Sequence, residues 1–465
     1  MTTTLAEAPA LSMHRRFDDY FKCAPGFADF RKPVEPSGPA GFFRFGPEVV
    51  CYGRLSSGRV AKEAEGPLED ALASVRTEET ACYLPFDAEE IVSNLRLERY
   101  CAALRPKKQS LAKSLVRSTY YAVRPLLPVS VRKLLQRAAL QGWNQIPFPH
   151  WPVDQTVDHV FETMMLLVLR ASRANRIPFV WFWPDGHRAC ATMTHDIETV
   201  AGRDFCNSLM DLNDSFEIKS SFQVVPEDRY AVPKEFLNAI RSRGFEVNVH
   251  DLNHDGNLFR ERTEFLRRAA KINRYAEEFG AIGYRSGVLY RNLEWYDAFQ
   301  FAYDMSVPNV GHLDPQPGGC CTTKPYFIGN ILEIPVTTTQ DYTLFHIFQQ
   351  YSIDLWKRQI QSIVSQHGMA SFIVHPDYVI ESRARDVYAA LLAHLAQLRQ
   401  DANLWIALPR EVNDWWRLRS QMTLVHRNGE WTVEGVGKER AQIAFARAHE
   451  GKVVYEFEVG VLGQG

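Results

Sequence analysis

The chain has 465 residues, of which 46% are hydrophobic and 23% charged, and its formal net charge is −2. This composition predicts a folded globular protein of two or three domains and argues against a basic protein that binds nucleic acid. Residues 1–9 are small and polar, so no secretory signal peptide is expected.

The longest apolar run, 164–169, is far shorter than the roughly 20 residues that cross a membrane. The eight cysteines lack the C-x-x-C spacing of metal or redox motifs. Reduced thiols in a cytosol fit this usage, so we expect a cytoplasmic protein.

The sequence of the amino-terminal third predicts two regions. Residues 1–15 are expected to be disordered, and residues 16–176 are expected to form a mixed, mainly helical region. Within the second, Gly46-Pro47 separates two short apolar runs and predicts a β-hairpin. Asp87 precedes a helical pattern and predicts a helix cap.

A basic stretch runs from Arg99 to Val153, with ten Lys or Arg and no Asp or Glu. Within it, Val131, Leu134, Leu135 and Ala138 share one helical face. Such a helix can contact an anionic membrane surface at the cytoplasmic side. The alternative is a helix packed on its own domain with a solvated basic side, and both interpretations remain open.

Strands and helices alternate from residue 177, which predicts an α/β domain over 177–420. The tail alternates apolar and polar residues around the Asn428-Gly429 turn signal. We therefore predict a small β appendage over 421–465.

Acidic and imidazole side chains follow three predicted strands. The strands are 190–193, 245–249 and 370–374. The side chains that follow them are, in order, Asp196 and Glu198, His250 and His254, and His375. Because the carboxyl ends of parallel strands meet at one edge of a sheet, we expect these groups to converge.

Two histidines and one carboxylate suit Zn²⁺, Co²⁺, Ni²⁺, Mn²⁺ or Fe²⁺. Such a site needs about three protein ligands and an open position for water. A second carboxylate can then accept a proton from that water, and a separate histidine can protonate a leaving group. The pattern predicts a metal-dependent hydrolase.

The order of these residues resembles the polysaccharide deacetylases of carbohydrate esterase family four, over roughly residues 190–416. The matching blocks are Thr194–Glu198, His250–His254, Tyr284–Gly287, Tyr303–Ser306 and Ile373–His375. The resemblance implies a distorted (β/α) barrel and metal-dependent hydrolysis of the N-acetyl amide of a sugar, in a saccharide or glycolipid intermediate.

The resemblance also implies a role for each matched residue. Asp196 would be the base and His375 the acid, with Arg285 holding Asp196 and Asp304 tuning His375. The metal, zinc before cobalt, nickel or manganese, would then be held by Glu198, His250 and His254.

The chain departs from the family at the acid motif, since Ile197 separates two acids that are usually adjacent. The 309–323 loop, rich in Gly and Pro, is expected to line the mouth of the cleft. Tyr284, Tyr290 and His312 are predicted to bind substrate. Two alternatives stay open, an amidohydrolase acting on a small non-sugar C–N bond and a non-catalytic glycan-binding relative.

Overall fold

The computed structural model describes residues 14–24, 26–104 and 140–457. Most of the predicted disordered start and of the basic stretch between Arg99 and Val153 lies outside these residues. Among the described helices, none is both long and apolar enough to cross a membrane.

The chain forms two compact units. Unit 1 consists of Met1–Asn94, His159–Pro184 and Leu418–Gly465, and unit 2 consists of Leu95–Asp158 and Asp185–Arg417. Each unit is described separately below.

The described α-helices are α1 His14–Phe21, α2 Ala88–Arg96, α3 Cys101–Leu104, α4 Thr156–Ser172, α5 Val200–Asp214, α6 Lys234–Ser242, α7 Arg262–Phe279, α8 Asp354–Ser365, α9 Ser382–Asp401 and α10 Pro409–Gln421. The strands are β1 Asp29–Arg31, β2 Gly41–Arg44, β3 Val50–Gly53, β4 Arg76–Glu78, β5 Ala81–Tyr83, β6 Ile177–Val180, β7 Ala189–Ile197, β8 Ser221–Val224, β9 Glu246–His250, β10 Gly283–Arg285, β11 Tyr303–Asp304, β12 Tyr326–Ile328, β13 Ile331–Glu333, β14 Met369–Ile373, β15 Leu404–Ile406, β16 Thr423–Arg427, β17 Glu430–Glu434, β18 Ile443–His449 and β19 Lys452–Phe457. A π-helical turn spans Thr343–Ile347.

Unit 1 contains the short strands predicted near both ends of the chain. β2 and β3 pair antiparallel, which confirms the predicted hairpin. Asp87 caps α2, because its carboxylate accepts the backbone N–H groups of Glu89 at 2.9 Å and Glu90 at 3.2 Å. β16 and β17 form a second hairpin across Asn428 and Gly429, both with positive φ, as that turn requires.

One predicted strand belongs to a different sheet from the one expected. The segment from Ile177 was predicted to open the α/β domain, but β6 pairs antiparallel with β18 in a sheet of order β19-β18-β6. All four residues of β6 are buried. A short, wholly apolar run indicates a buried strand but not its partner, which explains the error.

Unit 2 is built on a nine-stranded sheet of order β12-β13-β11-β10-β9-β8-β7-β14, with β15 also paired to β7. All its pairs are parallel except β12 with β13. The α/β prediction is confirmed. Within the described chain, the end strands β12 and β14 are not paired with each other, so the strand pairing shows an open sheet and not a closed barrel.

The longest strand, β7, positions the acids. All nine of its residues are buried, as expected of a parallel strand covered on both faces. Successive side chains alternate between the two faces, so Thr194 and Asp196 point one way and His195 the other. His195 contacts Asn213 of α5, which identifies the opposite face as the one that carries Asp196.

Candidate metal centre

Three side chains of unit 2 form a cluster that could hold a metal ion, Glu198, His250 and His254. One ligand atom from each lies within 4.8 Å of the other two. The Glu198 Oε1 atom is 2.9 Å from His254 Nε2 and 3.9 Å from His250 Nε2. Glu198 follows β7 and His250 ends β9, so two strand ends and the loop carrying His254 build the cluster.

The ring nitrogens of the histidines fit a metal. Within the described chain, the Nε2 atoms of His250 and His254 are buried and make no hydrogen bond of good geometry. His250 Nδ1 lies 3.2 Å from the Arg285 carbonyl oxygen, which fixes the proton on Nδ1 and leaves the Nε2 lone pair free. The Glu198 carboxylate lies beside His254 Nε2, whereas the buried His250 Nε2 has no such close partner in the described chain, which is costly. A metal ion would satisfy both rings.

Asp196 lies beside this cluster and not within it. Its Oδ2 atom is 3.8 Å from His250 Nε2, while Oδ1 accepts a hydrogen bond from Arg285 Nη1 at 2.9 Å. The same nitrogen donates to Thr194 Oγ1 at 2.8 Å. The structure therefore places Arg285 against Asp196, the position that the family resemblance implies.

Charge keeps both acids ionised. Burial raises the pKa of Asp196, but the Arg285 guanidinium and the His250 and His375 imidazoles together outweigh burial and leave that pKa below its usual value. Burial also raises the pKa of Glu198, yet His254 and the neighbouring imidazoles hold it well below its usual range. Two carboxylates are thus available at neutral pH, one in the cluster and one beside it.

His375 faces the cluster from the end of β14. Its Nε2 atom lies 3.5 Å from Glu198 Oε1, and its Nδ1 atom is 2.7 Å from Asp341 Oδ1. The other Asp341 oxygen accepts the His375 backbone N–H at 2.7 Å. Burial lowers the pKa of His375, but the Asp341 and Glu198 carboxylates together outweigh burial and raise that pKa well above the usual value.

The prediction that Asp304 tunes His375 is wrong, because Asp341 occupies that position. Asp304 accepts hydrogen bonds from Tyr296 and Ser306. The hydroxyl oxygen of the preceding residue, Tyr303, accepts a hydrogen bond from the Asn248 amide, on the face of the sheet that carries His250. Because side chains alternate along a strand, Asp304 points to the opposite face.

Two predicted substrate residues are also placed elsewhere. Tyr284 is fully buried in the apolar core, with its ring 4.6 Å from that of Phe299, because alternation along β10 turns it away from the Arg285 side. His312 is buried next to Asp154 and His150, and burial lowers its pKa to about 4. Neither residue is brought to the cluster.

Tyr290 stays a candidate for the site. Its buried ring lies close to Gly256, two residues beyond His254. A side chain added at Gly256 would lie 3.5 Å from that ring.

Sequence reasoning missed two supporting residues. Asp341 lies several residues beyond the end of β13, so the rule that pointed to the other acids, which lie at or just after strand ends, does not find it. Arg229 donates to the carbonyl oxygens of His254 at 2.6 Å and Asn253 at 3.2 Å and so holds the histidine loop. No local pattern predicts that contact, because the loops come together only in the fold.

No family model matches the chain, and no curated protein matches it. Among solved structures it is similar to a candidate polysaccharide deacetylase from Mycobacterium smegmatis, with 16% identity and a TM-score of 0.42, covering 54% of this chain and 98% of the other. A Puue allantoinase matches with 12% identity and a TM-score of 0.39, over 50% of this chain and 92% of that one.

A third similar structure is a pseudoenzyme of the CE4 family from Bacillus anthracis, with 14% identity and a TM-score of 0.32. It covers 50% of this chain and 66% of that one. The family that the motifs resemble is therefore represented among the similar structures.

Proposed function

We propose that this protein is a metal-dependent hydrolase that removes the acetyl group from the N-acetyl amide of a sugar, in a saccharide or glycolipid intermediate. The observation that carries the proposal is that the side chains proposed as base, metal ligands and acid lie close together. Glu198 Oε1 lies within 4 Å of His250, His254 and His375, and Asp196 lies 3.8 Å from His250.

Glu198, His250 and His254 would hold the ion, with zinc, cobalt, nickel and manganese all compatible with two nitrogens and one oxygen. When bound there, a divalent ion polarises a carbonyl group and lowers the pKa of water towards 7. The donor set leaves room in the coordination sphere, as catalytic sites of this kind require.

Asp196 is the proposed general base. Its lowered pKa keeps it ionised, and Arg285 fixes the orientation of the carboxylate through one oxygen. The other oxygen, which faces His250, is then available to accept a proton from the attacking water.

His375 is the proposed general acid. Asp341 holds the Nδ1 side of its ring, so a proton on Nε2 points towards Glu198 and the reacting group. Transfer of that proton to the departing amine nitrogen completes the cleavage of the amide bond.

A small apolar cluster supports an acetyl group as the part released. Leu289, Val336 and Ile373 pack together apart from the main core of the described chain. Ile373 precedes His375 by two residues, on the same side of β14, and lies beside Thr194 in the strand register. A methyl group would be desolvated by such a surface.

The test combines metal analysis with a screen for acetate release from N-acetylated monosaccharides, oligosaccharides and small non-sugar amides. We expect a near-stoichiometric divalent ion in the wild-type protein and none in His250→Ala. His426→Ala, at an exposed histidine, is the matched control and should keep the ion. Metal retained by His250→Ala would reject the site, and release only from non-sugar amides would favour the amidohydrolase alternative.

A further inference from the structure

Unit 1 contains a cavity of about 460 Å³ that the proposed reaction does not use. Its walls include Phe27, Arg176, Glu430, Trp431 and Phe445. Small-molecule sites typically measure about 300–1,000 Å³, so the cavity is large enough for one or two sugar rings.

The aromatic wall is held in place from two sides. Trp431 is half-buried on β17, and its ring centroid lies 5.8 Å from that of Phe27 and 4.6 Å from that of His426. His426 is the cross-strand partner of Trp431 in the hairpin. A ring fixed in this way offers a flat apolar surface at little entropic cost.

The polar wall supplies both donors and acceptors. The Arg176 guanidinium lies 3.9 Å over the Phe445 ring, which orients its planar set of N–H donors. Glu430, next to Trp431 and exposed, supplies carboxylate acceptors. One positive and one negative side chain leave the wall without net charge, which disfavours a strongly anionic ligand such as nucleic acid.

We infer that this cavity binds a neutral saccharide of one or two rings. The C–H face of a pyranose would stack on Trp431, while its hydroxyl groups would accept from Arg176 and donate to Glu430. This site goes beyond the proposed hydrolysis, because its residues are separate from Glu198, His250 and His254.

The experiment is calorimetric titration of the full chain with cellobiose, N,N′-diacetylchitobiose and a disaccharide containing a uronic acid. The His250→Ala background is used, so that the metal centre neither turns over nor contributes metal-dependent binding. Failure of the proposed hydrolase function would therefore leave the binding result readable. We expect both neutral disaccharides to bind.

We expect Trp431→Ala to weaken neutral-disaccharide binding by about tenfold or more, since that factor corresponds to the loss of one aromatic platform. Arg176→Lys keeps the charge but not the planar guanidinium, so it should also weaken the binding of neutral disaccharides. This second variant keeps the test valid if Trp431→Ala unfolds the hairpin. Trp405→Ala, at a half-buried tryptophan of unit 2, is the matched control. The inference would be overturned if no neutral disaccharide bound or if only the acidic disaccharide bound. It would also be overturned if Trp405→Ala weakened binding as much as Trp431→Ala.

Discussion

We expect Asp341, and not Asp304, to control the pKa of His375, the proposed general acid. Asp341→Asn keeps the shape of the side chain but removes the larger of the two carboxylate contributions, from Asp341 and Glu198, that raise the pKa of His375. We expect turnover of an N-acetyl substrate to fall by roughly 10²-fold, with the alkaline limb of the pH–rate profile moved to lower pH because His375 loses its proton earlier.

The matched control for that variant is Asp304→Asn, a buried aspartate without contact to His375. Its turnover and pH profile should stay close to those of the wild type. If Asp304→Asn moved the alkaline limb and Asp341→Asn did not, the assignment from the structure would be reversed.

The two acids of the Asp196-Ile197-Glu198 stretch should separate into a ligand and a base. Glu198→Ala removes a cluster atom 2.9 Å from His254 Nε2, so we expect it to lose the metal. Asp196→Asn keeps the hydrogen bond acceptor for Arg285 but cannot take a proton, so it should keep the metal and lose activity. Metal content and acetate release are measured on both variants. If only Asp196→Asn lost the ion, Asp196 would be the ligand and Glu198 the base.

The β6–β18 pairing should be essential to unit 1. Ala444 of β18 is fully buried and lies opposite Phe179 in β6, so Ala444→Asp would bury an unpaired carboxylate. We expect a loss of roughly 3 kcal/mol in the free energy of unfolding, measured by denaturant titration. Ala448→Asp, at an exposed position of the same strand, is the control. An equal loss of unfolding free energy in that variant would show that burial at the β6–β18 pairing does not contribute more to stability than an exposed position does.

Elements with a strong local signal could be predicted, but their partners could not. The periodic helices and the strands carrying Asp196, His250 and His375 follow from apolar runs and the side chains after them. The pairing of β6 with a strand more than 260 residues later left no trace in either segment, because the wholly apolar β6 and the half-exposed β18 carry no pattern that names a partner. Periodicity identifies a strand by its burial and says nothing of its neighbour.

The same limit applies to the site. The parallel arrangement brings together five side chains at or just beyond the carboxyl ends of β7, β9 and β14, namely Asp196, Glu198, His250, His254 and His375. Asp341 reaches His375 only through the loop after β13, and its distance from that strand hid it. Tyr284 was misjudged because it immediately precedes Arg285, and one step along a strand reverses the face.

At the scale of the whole molecule, the basic stretch from Arg99 to Val153 stays a prediction, since its central part lies outside the described residues. Each basic residue near an anionic surface contributes about 1 kcal/mol to binding at low salt. We expect co-sedimentation with anionic but not neutral vesicles, weakened by moderate salt. Recovery in the supernatant with both vesicle types would leave the alternative of a solvated basic helix.

Stability against pH should depend on a buried pair of carboxyl groups in unit 2. Glu333 is fully buried, pairs with Asp304 in the strand register and accepts the Val307 backbone N–H at 2.9 Å. Burial raises the pKa of Glu333 well above its usual value, and the Asp304 carboxylate raises it further. The folded protein therefore holds a proton that the unfolded chain releases near pH 4.

The sign of the effect follows from linkage. A raised acid pKa stabilises the fold fully below the unfolded pKa, and this contribution is lost as pH rises through the folded pKa, at about 1.4 kcal/mol per pKa unit. Glu333→Gln cannot ionise, yet it can keep the acceptor for Val307 and a donor for Asp304. We expect its unfolding free energy, measured by denaturant titration from pH 5 to pH 8 or so, to fall less with pH than that of the wild type. Exposed Glu294→Gln is the control, and parallel pH curves for all three proteins would show that Glu333 carries no such proton.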